Sequence, residues 1–472
     1  MDHAYKVKLG RAKCALDLGD GSERAEYVNQ DYILHKLGRP HRCVNIMYTY
    51  YPKDAQWPNR ISKACADMNI SFQWDYPYDD YFPYGADGEP FEQMKDIRRH
   101  GQDVLLTLTI DCSLEDSYLR EIAGQLAPFG RMRIRINHEC QGTWFTHNKR
   151  FSRKEIADFF VRFHNIIKEE APNVSTIFCA GFTGEDGKVE GEDDFIEAYK
   201  KADVWSADCY PALHYGWPYD VAEVGGGQYK TETIAENYER FQSTAARLRE
   251  ITGRDVYLST AECNTDGDVT GPMHQGEAVI RFAEYFKEKK ADWFNGISMY
   301  QFRDRGRLGL EIEDPNNSSV GIEQPLLQDY KKVLYDSYFM PELSRKEEVS
   351  FPVDCRWGGS EDAEGIEIPV VLERTPEFFE GTFEEDLSLM IEMQGKWFYK
   401  APGVKTIDFM SLVFEKKVDG PTELAMRIFI TPPEGVNPKT DKEDWNLNYY
   451  GRMEKAPELR IRYEVPGRVG IK

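Results

Sequence analysis

A repeated alternation of short apolar segments with longer amphipathic segments runs from about residue 42 to about residue 340. This alternation predicts parallel strands, because each return to the same sheet edge needs a crossover helix. Eight such units fit a (β/α)8 TIM barrel, whereas an open doubly wound sheet normally carries a GxGxxG or Walker loop that is missing here. The predicted strands are Val44–Tyr48, Ile70–Trp74, Val104–Thr109, Arg133–Asn137, Thr176–Ala180, Val204–Cys209, Val256–Thr260 and Gly296–Tyr300.

The intervening helices have recognisable start and stop signals. Ser152 and Glu155 form a capping box in front of a helix that carries apolar residues at helical spacing. A second helix is predicted over Thr233–Thr252, with Gly253 as its C-cap. The segments Pro90–His100 and Glu277–Lys290 follow the same pattern.

The chain divides into three predicted regions. Residues 1–41 are expected to form a preamble packing on the barrel, residues 42–345 the catalytic barrel, and residues 346–472 an antiparallel β-sandwich accessory domain. Ser344–Glu348 is interpreted as a polar linker between the last two. The sandwich either binds carbohydrate or braces the barrel, and the brace is favoured because no aromatic platform is evident. Its predicted strands are Glu367–Leu372, Leu387–Met393, Thr406–Phe414 and Leu424–Ile430.

Charge and composition exclude several partners. The 472-residue chain has a net charge of -22, which argues against nucleic acid or an anionic membrane. No apolar run approaches the roughly 20 residues of a membrane helix, and the N-terminus has no apolar signal-peptide core. Nine cysteines without a CxxC pair favour free thiols in a reducing compartment. We therefore expect a cytoplasmic protein, with a secreted mature form and a homo-oligomer both left open.

The segment from Arg131 to Phe145 indicates a site. Met132, Ile134 and Ile136 alternate with polar residues, which predicts a strand with one unusually polar face. The strand ends in Asn137-His138-Glu139, and Trp144 follows shortly afterwards. A carboxylate beside amide and imidazole donors, with aromatic residues close by in sequence, suits a carbohydrate substrate.

The carboxyl ends of barrel strands meet at one face, where barrel enzymes place their chemistry. Two carboxylates, Glu139 and Glu262, fall at the ends of predicted strands four and seven. Aromatic rings stack on sugars and polar groups bind hydroxyls. The predicted substrate-binding residues are Asn137, His138, Arg135, Trp144, Tyr210, His214, Trp217, Trp74, Tyr48, Asn264, Tyr300 and Arg303.

Asn137-His138-Glu139 and Ala261-Glu262-Cys263-Asn264 resemble the corresponding motifs of clan A glycoside hydrolases. Within that clan, the His-Glu pair followed by Gly142 and Trp144 is similar to family 26. The run beginning at Tyr300, YQFRDRG, is similar to family 39. The resemblance implies a (β/α)8 barrel in which Glu139 is the acid/base and Glu262 the nucleophile. His138 stands where the clan usually has Asn, and Tyr300 stands where a Trp is frequent, so the substrate is not implied.

Two carboxyl groups suit glycoside hydrolysis because one must be protonated and the other ionised. The hypothesis is a retaining hydrolase that cleaves β-glycosidic bonds in an oligo- or polysaccharide. Donors such as Tyr210 and Arg135 would keep Glu262 ionised. One alternative is an inactive carbohydrate-binding barrel, and another is a barrel hydrolase of different chemistry. A metal-dependent hydrolase would need His-x-His at the first strand end, where the chain reads Ile46-Met47-Tyr48.

Other polar residues have simpler interpretations. Arg133 is expected in a structural ion-pair layer inside the barrel, and Asp208 either holds His214 or caps a loop. Cysteines 112, 140, 209 and 263 fall at strand ends, which suits small buried residues better than a thiolate metal site. Asp266 and Asp268 lack the glutamate of a calcium loop. No metal and no cofactor is predicted.

Overall fold

The structure is a computed structural model that describes residues 3–20, 26–70, 79–81, 88–142, 146–209, 231–254, 258–263, 272–304, 309–418, 420–439 and 444–463. Its larger sheet forms a parallel barrel surrounded by helices. Within these ranges the barrel has eight strands: β2 (Ala15–Gly19), β3 (Cys43–Tyr50), β5 (Asp103–Thr109), β6 (Met132–Ile136), β7 (Val174–Cys179), β8 (Val204–Cys209), β9 (Leu258–Cys263) and β10 (Phe294–Met299).

Strand β2 closes the barrel because it pairs with β10 on one side and with β3 on the other. Its contact with β3 covers only the pairs Leu18–Val44 and Gly19–Asn45. A short additional strand, β4 (Asp79–Tyr81), pairs with the carboxyl-terminal part of β3. The predicted fold class, a (β/α)8 barrel followed by an antiparallel β domain, is confirmed.

The barrel begins earlier in the chain than the sequence indicated. β2 lies within residues 1–41, which were expected to pack on the barrel as a preamble, so its five residues supply the first barrel strand instead. The strand was missed because it is short and because Asp17 interrupts its apolar pattern. The predicted strand Ile70–Trp74 lies outside the described residues from position 71 onward. Strands three to eight nevertheless keep their predicted order.

Amphipathic helices cover the barrel, and their aliphatic and aromatic faces pack on the outward side chains of the strands. The capping box at Ser152 is present, with both hydrogen bonds to Glu155 formed. Among the described residues, no helix combines the length and apolar character that crossing a membrane requires. The helices are α1 (Gln30–Leu37), α2 (Trp57–Asp67), α3 (Glu89–Arg99), α4 (Asp116–Leu126), α5 (Thr146–Lys149), α6 (Arg153–Glu170), α7 (Glu192–Lys201), α8 (Thr231–Thr252), α9 (Pro272–Lys289), α10 (Pro325–Leu334) and α11 (Met410–Glu415).

A second, antiparallel β region follows the barrel. It consists of a large sheet and a smaller second sheet, which pack on each other around a separate apolar core. The large sheet also contains β1 (Ala4–Gly10) from the start of the chain. The large sheet has the strands β14 (Glu342–Val349), β15 (Val353–Trp357), β16 (Ala363–Leu372), β18 (Leu389–Met393), β19 (Lys396–Lys400), β21 (Thr422–Ile430) and β22 (Tyr449–Met453); the second has β17 (Pro376–Thr382), β20 (Thr406–Asp408) and β23 (Glu458–Tyr463). A small sheet of β11 (Arg303–Asp304), β12 (Glu311–Asp314) and β13 (Asn317–Glu323) follows the last barrel strand.

Two local predictions in this region were wrong. The polar run Ser344–Glu348 is not a linker but part of β14, an edge strand paired with β1. Charged side chains are common on edge strands because they discourage pairing with other chains. The predicted strand Thr406–Phe414 ends at Asp408, and α11 follows it.

The second β region is anchored at the amino-terminal side of the barrel. Ser360 donates its backbone NH and hydroxyl to Asp103 at the start of β5. Arg131, just before β6, bonds Asp362 at 2.6 Å. The Trp397 NH donates to the Gly38 carbonyl. These contacts lie at the opposite face from the strand ends that carry the candidate site, as expected of a brace.

An ion pair fills part of the barrel interior. Arg42 binds both oxygens of Asp17, at 2.9 and 2.6 Å, and the Cys43 NH donates to the same carboxylate. Arg133 lies 3.9 Å from Asp17, so the predicted structural role of this arginine is confirmed. Burial opposes ionisation of Asp17, but the charge and hydrogen bonds of Arg42 outweigh it and lower the pKa of the carboxyl group.

Candidate active site

The turn after β6 presents Glu139 at the carboxyl-terminal face of the barrel. Asn137 and Glu139 both have positive φ, 49° and 51°, which is uncommon for glutamate and must be held by surrounding contacts. The Asn137 side chain accepts from the Ile110 NH and donates to the Ile110 carbonyl. Asn148 donates to the Glu139 carbonyl at 2.8 Å. The backbone of Glu139 is therefore fixed on both sides, while its side chain remains 19% exposed.

His138 lies between Arg135 and Asp208. Arg135 Nη1 is 3.1 Å from His138 Nδ1, and because arginine can only donate, Nδ1 must accept. The ring proton of neutral His138 is consequently on Nε2, which lies 3.0 Å from Asp208 Oδ2. The ring is thus fixed in one tautomer and one orientation.

Asp208 and Glu139 form a hydrogen-bonded carboxyl pair. Burial raises the pKa of Asp208, although the hydrogen bond from Glu139 and the charge of Arg135 act in the opposite direction. A hydrogen bond between two carboxyl groups requires a proton on one of them. The pair can therefore hold a proton beside the solvent-accessible Glu139 side chain.

The atoms of His138, Cys179 and Asp208 lie within 4.8 Å of one another, and such a set could in principle hold a metal ion. Burial and the nearby Asp208 charge raise the pKa of Cys179 well above its usual range, so the thiol keeps its proton and donates to Asp208 at 3.7 Å. Arg135 adds a positive charge beside His138. The adjacent arginine cation disfavours a divalent metal, and the three side chains already have hydrogen-bond partners among one another.

Three predicted binding residues lie elsewhere or have other partners. The Tyr48 hydroxyl points away from the barrel interior and donates to Gln93 of α3 at 2.6 Å. Arg303 is buried and paired with Glu311 at 2.9 Å. Asn137 bonds the backbone of Ile110. These contacts give all three side chains a structural partner: Asn137 holds the backbone next to Glu139, Arg303 links β11 to β12, and Tyr48 faces the helical layer.

Tyr300 is buried and packs against Met47 inside the barrel, so it remains near the interior of the candidate site. Six predicted binding residues lie outside the described residues: Trp74, Trp144, Tyr210, His214, Trp217 and Asn264. Glu262 is described through its backbone as the next-to-last residue of β9.

The pairing of β8 with β9 is irregular at Asp208. Ala207 pairs with Thr260 and Cys209 pairs with Cys263, so two residues of β9, Ala261 and Glu262, lie opposite the single residue Asp208. Such bulges are frequent next to active sites because they redirect a side chain. The backbones of Glu262 and Asp208 therefore lie at the same level of the barrel.

Sequence reasoning missed the role of Asp208. It expected this residue to hold His214 or to cap a loop, whereas the structure pairs it with His138 and Glu139. Its position at the end of strand six was the available signal, because ends of different parallel strands meet at one face. Cys179, at the end of strand five, belongs to the same cluster.

No protein-family model matches the chain, and the search of curated proteins found no match. Similar solved structures include an α-L-arabinofuranosidase from Thermotoga maritima, 11% identical, with a TM-score of 0.45 and coverage of 89% of this chain and 97% of the other. A GH26 β-mannanase from Bacteroides ovatus is 9% identical, with a TM-score of 0.41 and coverage of 70% and 90%. A family 39 glycoside hydrolase from Bacteroides cellulosilyticus is 10% identical, with a TM-score of 0.42 and coverage of 91% and 95%. At these identities and scores, the activity has to be argued from the residues of this chain.

Proposed function

We propose that the protein is a retaining glycoside hydrolase acting on β-glycosidic bonds of an oligo- or polysaccharide. The observation that carries the proposal is that the Glu139 and Asp208 carboxyl groups lie beside the same ring nitrogen of His138, at 4.0 and 3.0 Å, at the carboxyl-terminal face of the barrel. Glycosidic cleavage needs a carboxylic acid that protonates the leaving oxygen. Glu139 suits this role because its carboxyl group lies next to the buried carboxyl group of Asp208, while its own side chain is 19% exposed and can be reached by substrate.

His138 and Arg135 support the acid indirectly. His138 donates to Asp208, and its orientation is fixed by Arg135 on the other side of the ring. Asp208 can therefore accept the Glu139 hydrogen bond in a constant geometry. This arrangement holds the Glu139 carboxyl group in position before substrate binds, and such preorganisation lowers the cost of reaching the transition state.

Glu262 is the proposed nucleophile. It is the next-to-last residue of the seventh barrel strand, and the bulge in β9 sets its backbone opposite Asp208. In a retaining mechanism it would attack the anomeric carbon, and water activated by Glu139 would then release the sugar.

The proposal is tested by screening aryl glycosides and then comparing leaving groups in the Glu139→Ala variant. A good leaving group needs no proton, so the variant should retain much of its activity on dinitrophenyl glycosides and lose about 10²–10⁴-fold on poorer leaving groups. Azide should restore turnover because this anion attacks the glycosyl-enzyme directly and, unlike water, needs no general base. Equal losses on all leaving groups would remove Glu139 from the acid role.

The nucleophile is tested with a 2-fluoro glycosyl inactivator and mass spectrometry of the labelled peptide. Labelling of Glu262, with retention of anomeric configuration by NMR, is the expected result. An inverted product, or label on another residue, would contradict the retaining mechanism. Absence of turnover on every glycoside, together with saccharide binding, would favour the inactive carbohydrate-binding barrel.

A further inference from the structure

A cleft lies beside the turn that carries Glu139. It has a volume of about 520 Å³ and is formed by the loop that joins β7 to α7, together with residues from α6 and α8. Small-molecule sites commonly have volumes of about 300–1,000 Å³. The loop after β7 emerges at the carboxyl-terminal face of the barrel, the face that also carries Glu139.

The cleft is connected to the Glu139 turn through Arg153. This arginine donates to the carbonyl of Gln141, two residues after Glu139, and also to Glu190 at 3.0 Å. Gly181 allows this junction to close, because an added Cβ would lie 2.6 Å from Glu190 and 3.3 Å from the Gln141 side chain. The wall of the cleft and the turn that presents Glu139 are therefore parts of one packed structure.

The cleft loop is held by contacts on both sides. Glu192 is buried and bound by Arg247 of α8 at 2.6 and 2.9 Å. The Thr183 NH and hydroxyl donate to Thr244 of the same helix. Within the loop, Thr183 and Val189 form an isolated bridge. A site built on such a loop needs little ordering when a ligand binds, which favours affinity.

The polar groups of the cleft suit sugar hydroxyls. The Arg153–Glu190 and Lys188–Asp193 pairs each place a donor beside an acceptor, and all four side chains are at least 38% exposed. Neighbouring hydroxyl groups of a sugar can donate to the carboxylate and accept from the cation of one pair. Arg240 adds a third cation, held with its guanidinium 4.4 Å from the centroid of the Phe182 ring.

The charge balance selects among saccharides. Five carboxylates and three cations line the cleft, and the whole chain carries a net charge of -22. Uronic-acid chains would be repelled by both the local and the overall charge. A neutral saccharide needs no counter-charge and can use both members of each ion pair.

We infer that this cleft is a remote subsite for a neutral oligosaccharide chain whose cleaved bond lies at Glu139. The inference rests on the proposed function and makes it more specific, since it assigns the enzyme a substrate longer than a monosaccharide glycoside. Residues of the cleft bind the distant sugar units and do not touch the reacting atoms.

The test compares long and short substrates in variants of exposed cleft residues. The quantity compared is kcat/KM on hexasaccharides divided by kcat/KM on aryl monoglycosides. Arg240→Ala and Glu190→Gln should each lower this ratio by roughly tenfold, because KM for the hexasaccharide rises. Lys154→Ala is the matched control, because Lys154 lies on α6 beside the cleft residue Arg153 but pairs with Asp158 instead. The control should leave this ratio at the wild-type value. Equal ratios in the cleft variants and the wild type would overturn the inference.

Calorimetry separates the inference from the proposed catalysis. The Glu139→Gln variant, which should not cleave its ligand, is titrated with cello-, manno- and xylo-oligosaccharides of one to six units. Affinity should increase with length in one of the series, and Arg240→Ala added to Glu139→Gln should remove that increase. Length-independent binding in all three series, or tighter binding of hexagalacturonate, would overturn the subsite. Turnover of aryl glycosides by the wild type is judged separately and decides only the proposed function.

Discussion

Asp17 and Asp208 are two buried carboxyl groups inside one barrel, but their surroundings act in opposite directions. Asp17 lies near the amino-terminal ends of the strands, where Arg42 binds both its oxygens. Asp208 lies at the carboxyl-terminal end of β8, where its partners are His138, Cys179 and a second carboxyl group. The pKa of Asp17 is lowered, whereas burial raises the pKa of Asp208.

The difference shows that one end of the barrel uses a buried carboxyl group for stability, while the other end keeps one beside the candidate site. The bidentate contact with Arg42 stabilises the ionised form of Asp17, so this carboxyl group does not bind a proton near neutral pH. Near Asp208, Arg135 donates to His138, and His138 in turn lies 3.0 Å from Asp208. Because burial raises the pKa of Asp208, the Asp208–Glu139 pair retains a tendency to hold a proton, as a general acid requires.

The largest expected effect is on stability, in the Asp17→Ala variant. Removing the carboxylate leaves the buried Arg42 without its main counter-charge, which should lower the free energy of unfolding by about 3–5 kcal/mol. Urea denaturation measures this change. The control is Asp354→Ala, an exposed partner of Arg452, which should cost less than about 1 kcal/mol. Similar losses in the two variants would show that the interior pair has no special structural role.

Asp208→Asn should affect turnover rather than stability. The amide cannot share a proton with Glu139 as a carboxyl group does, so kcat/KM on poor leaving groups should fall about hundredfold. A carboxyl group with a raised pKa disfavours folding above its unfolded pKa, and hence the variant should not be less stable at pH 7. The measurements are the pH profile of kcat/KM and the melting temperature. A destabilised variant with normal turnover would place Asp208 in the same class as Asp17.

His100 provides a pH test at a third buried position, where α3 meets the second β region. Burial opposes protonation, but Asp31 and Asp96 outweigh it and raise the pKa from 6.5 to about 9. The resulting stability is fully present below pH 6.5 and is lost as the pH rises through about 9. We expect a loss of about 2–3 kcal/mol across this window, absent in His100→Gln. Urea midpoints measured from pH 6 to pH 10 check this, and parallel curves for both proteins would refute it.

Tyr48→Phe should have the smallest effect on stability, and it tests whether Tyr48 is a structural residue or a substrate-binding one. Tyr48 was expected to bind substrate, but its hydroxyl donates to Gln93 in the helical layer. Loss of one buried hydrogen bond should cost about 1 kcal/mol of stability and leave kcat/KM at the wild-type value. A tenfold rise in KM without a change in stability would return Tyr48 to the substrate site.

The sequence by itself determined the architecture, because strand and helix signals depend on residues that are close together in the chain. The alternation of apolar and amphipathic segments specified a parallel barrel, and the capping box at Ser152 marked the start of α6 correctly. The polar face of β6 and the residues Asn137-His138-Glu139 located the candidate site, since strand ends of a barrel meet at one face. Arg133 was also assigned correctly, because a buried charge on a strand requires a partner.

Only the tertiary structure decided which side chains meet. β2 and Asp17 could not be recognised as barrel components from five residues, because their pairing with β10 and β3 is distant in sequence. The hydrogen bonds of Asp208 with His138 and Glu139 join residues about 70 positions apart. Local periodicity states which face of a strand is buried, but not which residue of another strand lies opposite. That choice depends on register and on a bulge, which form only when the barrel closes.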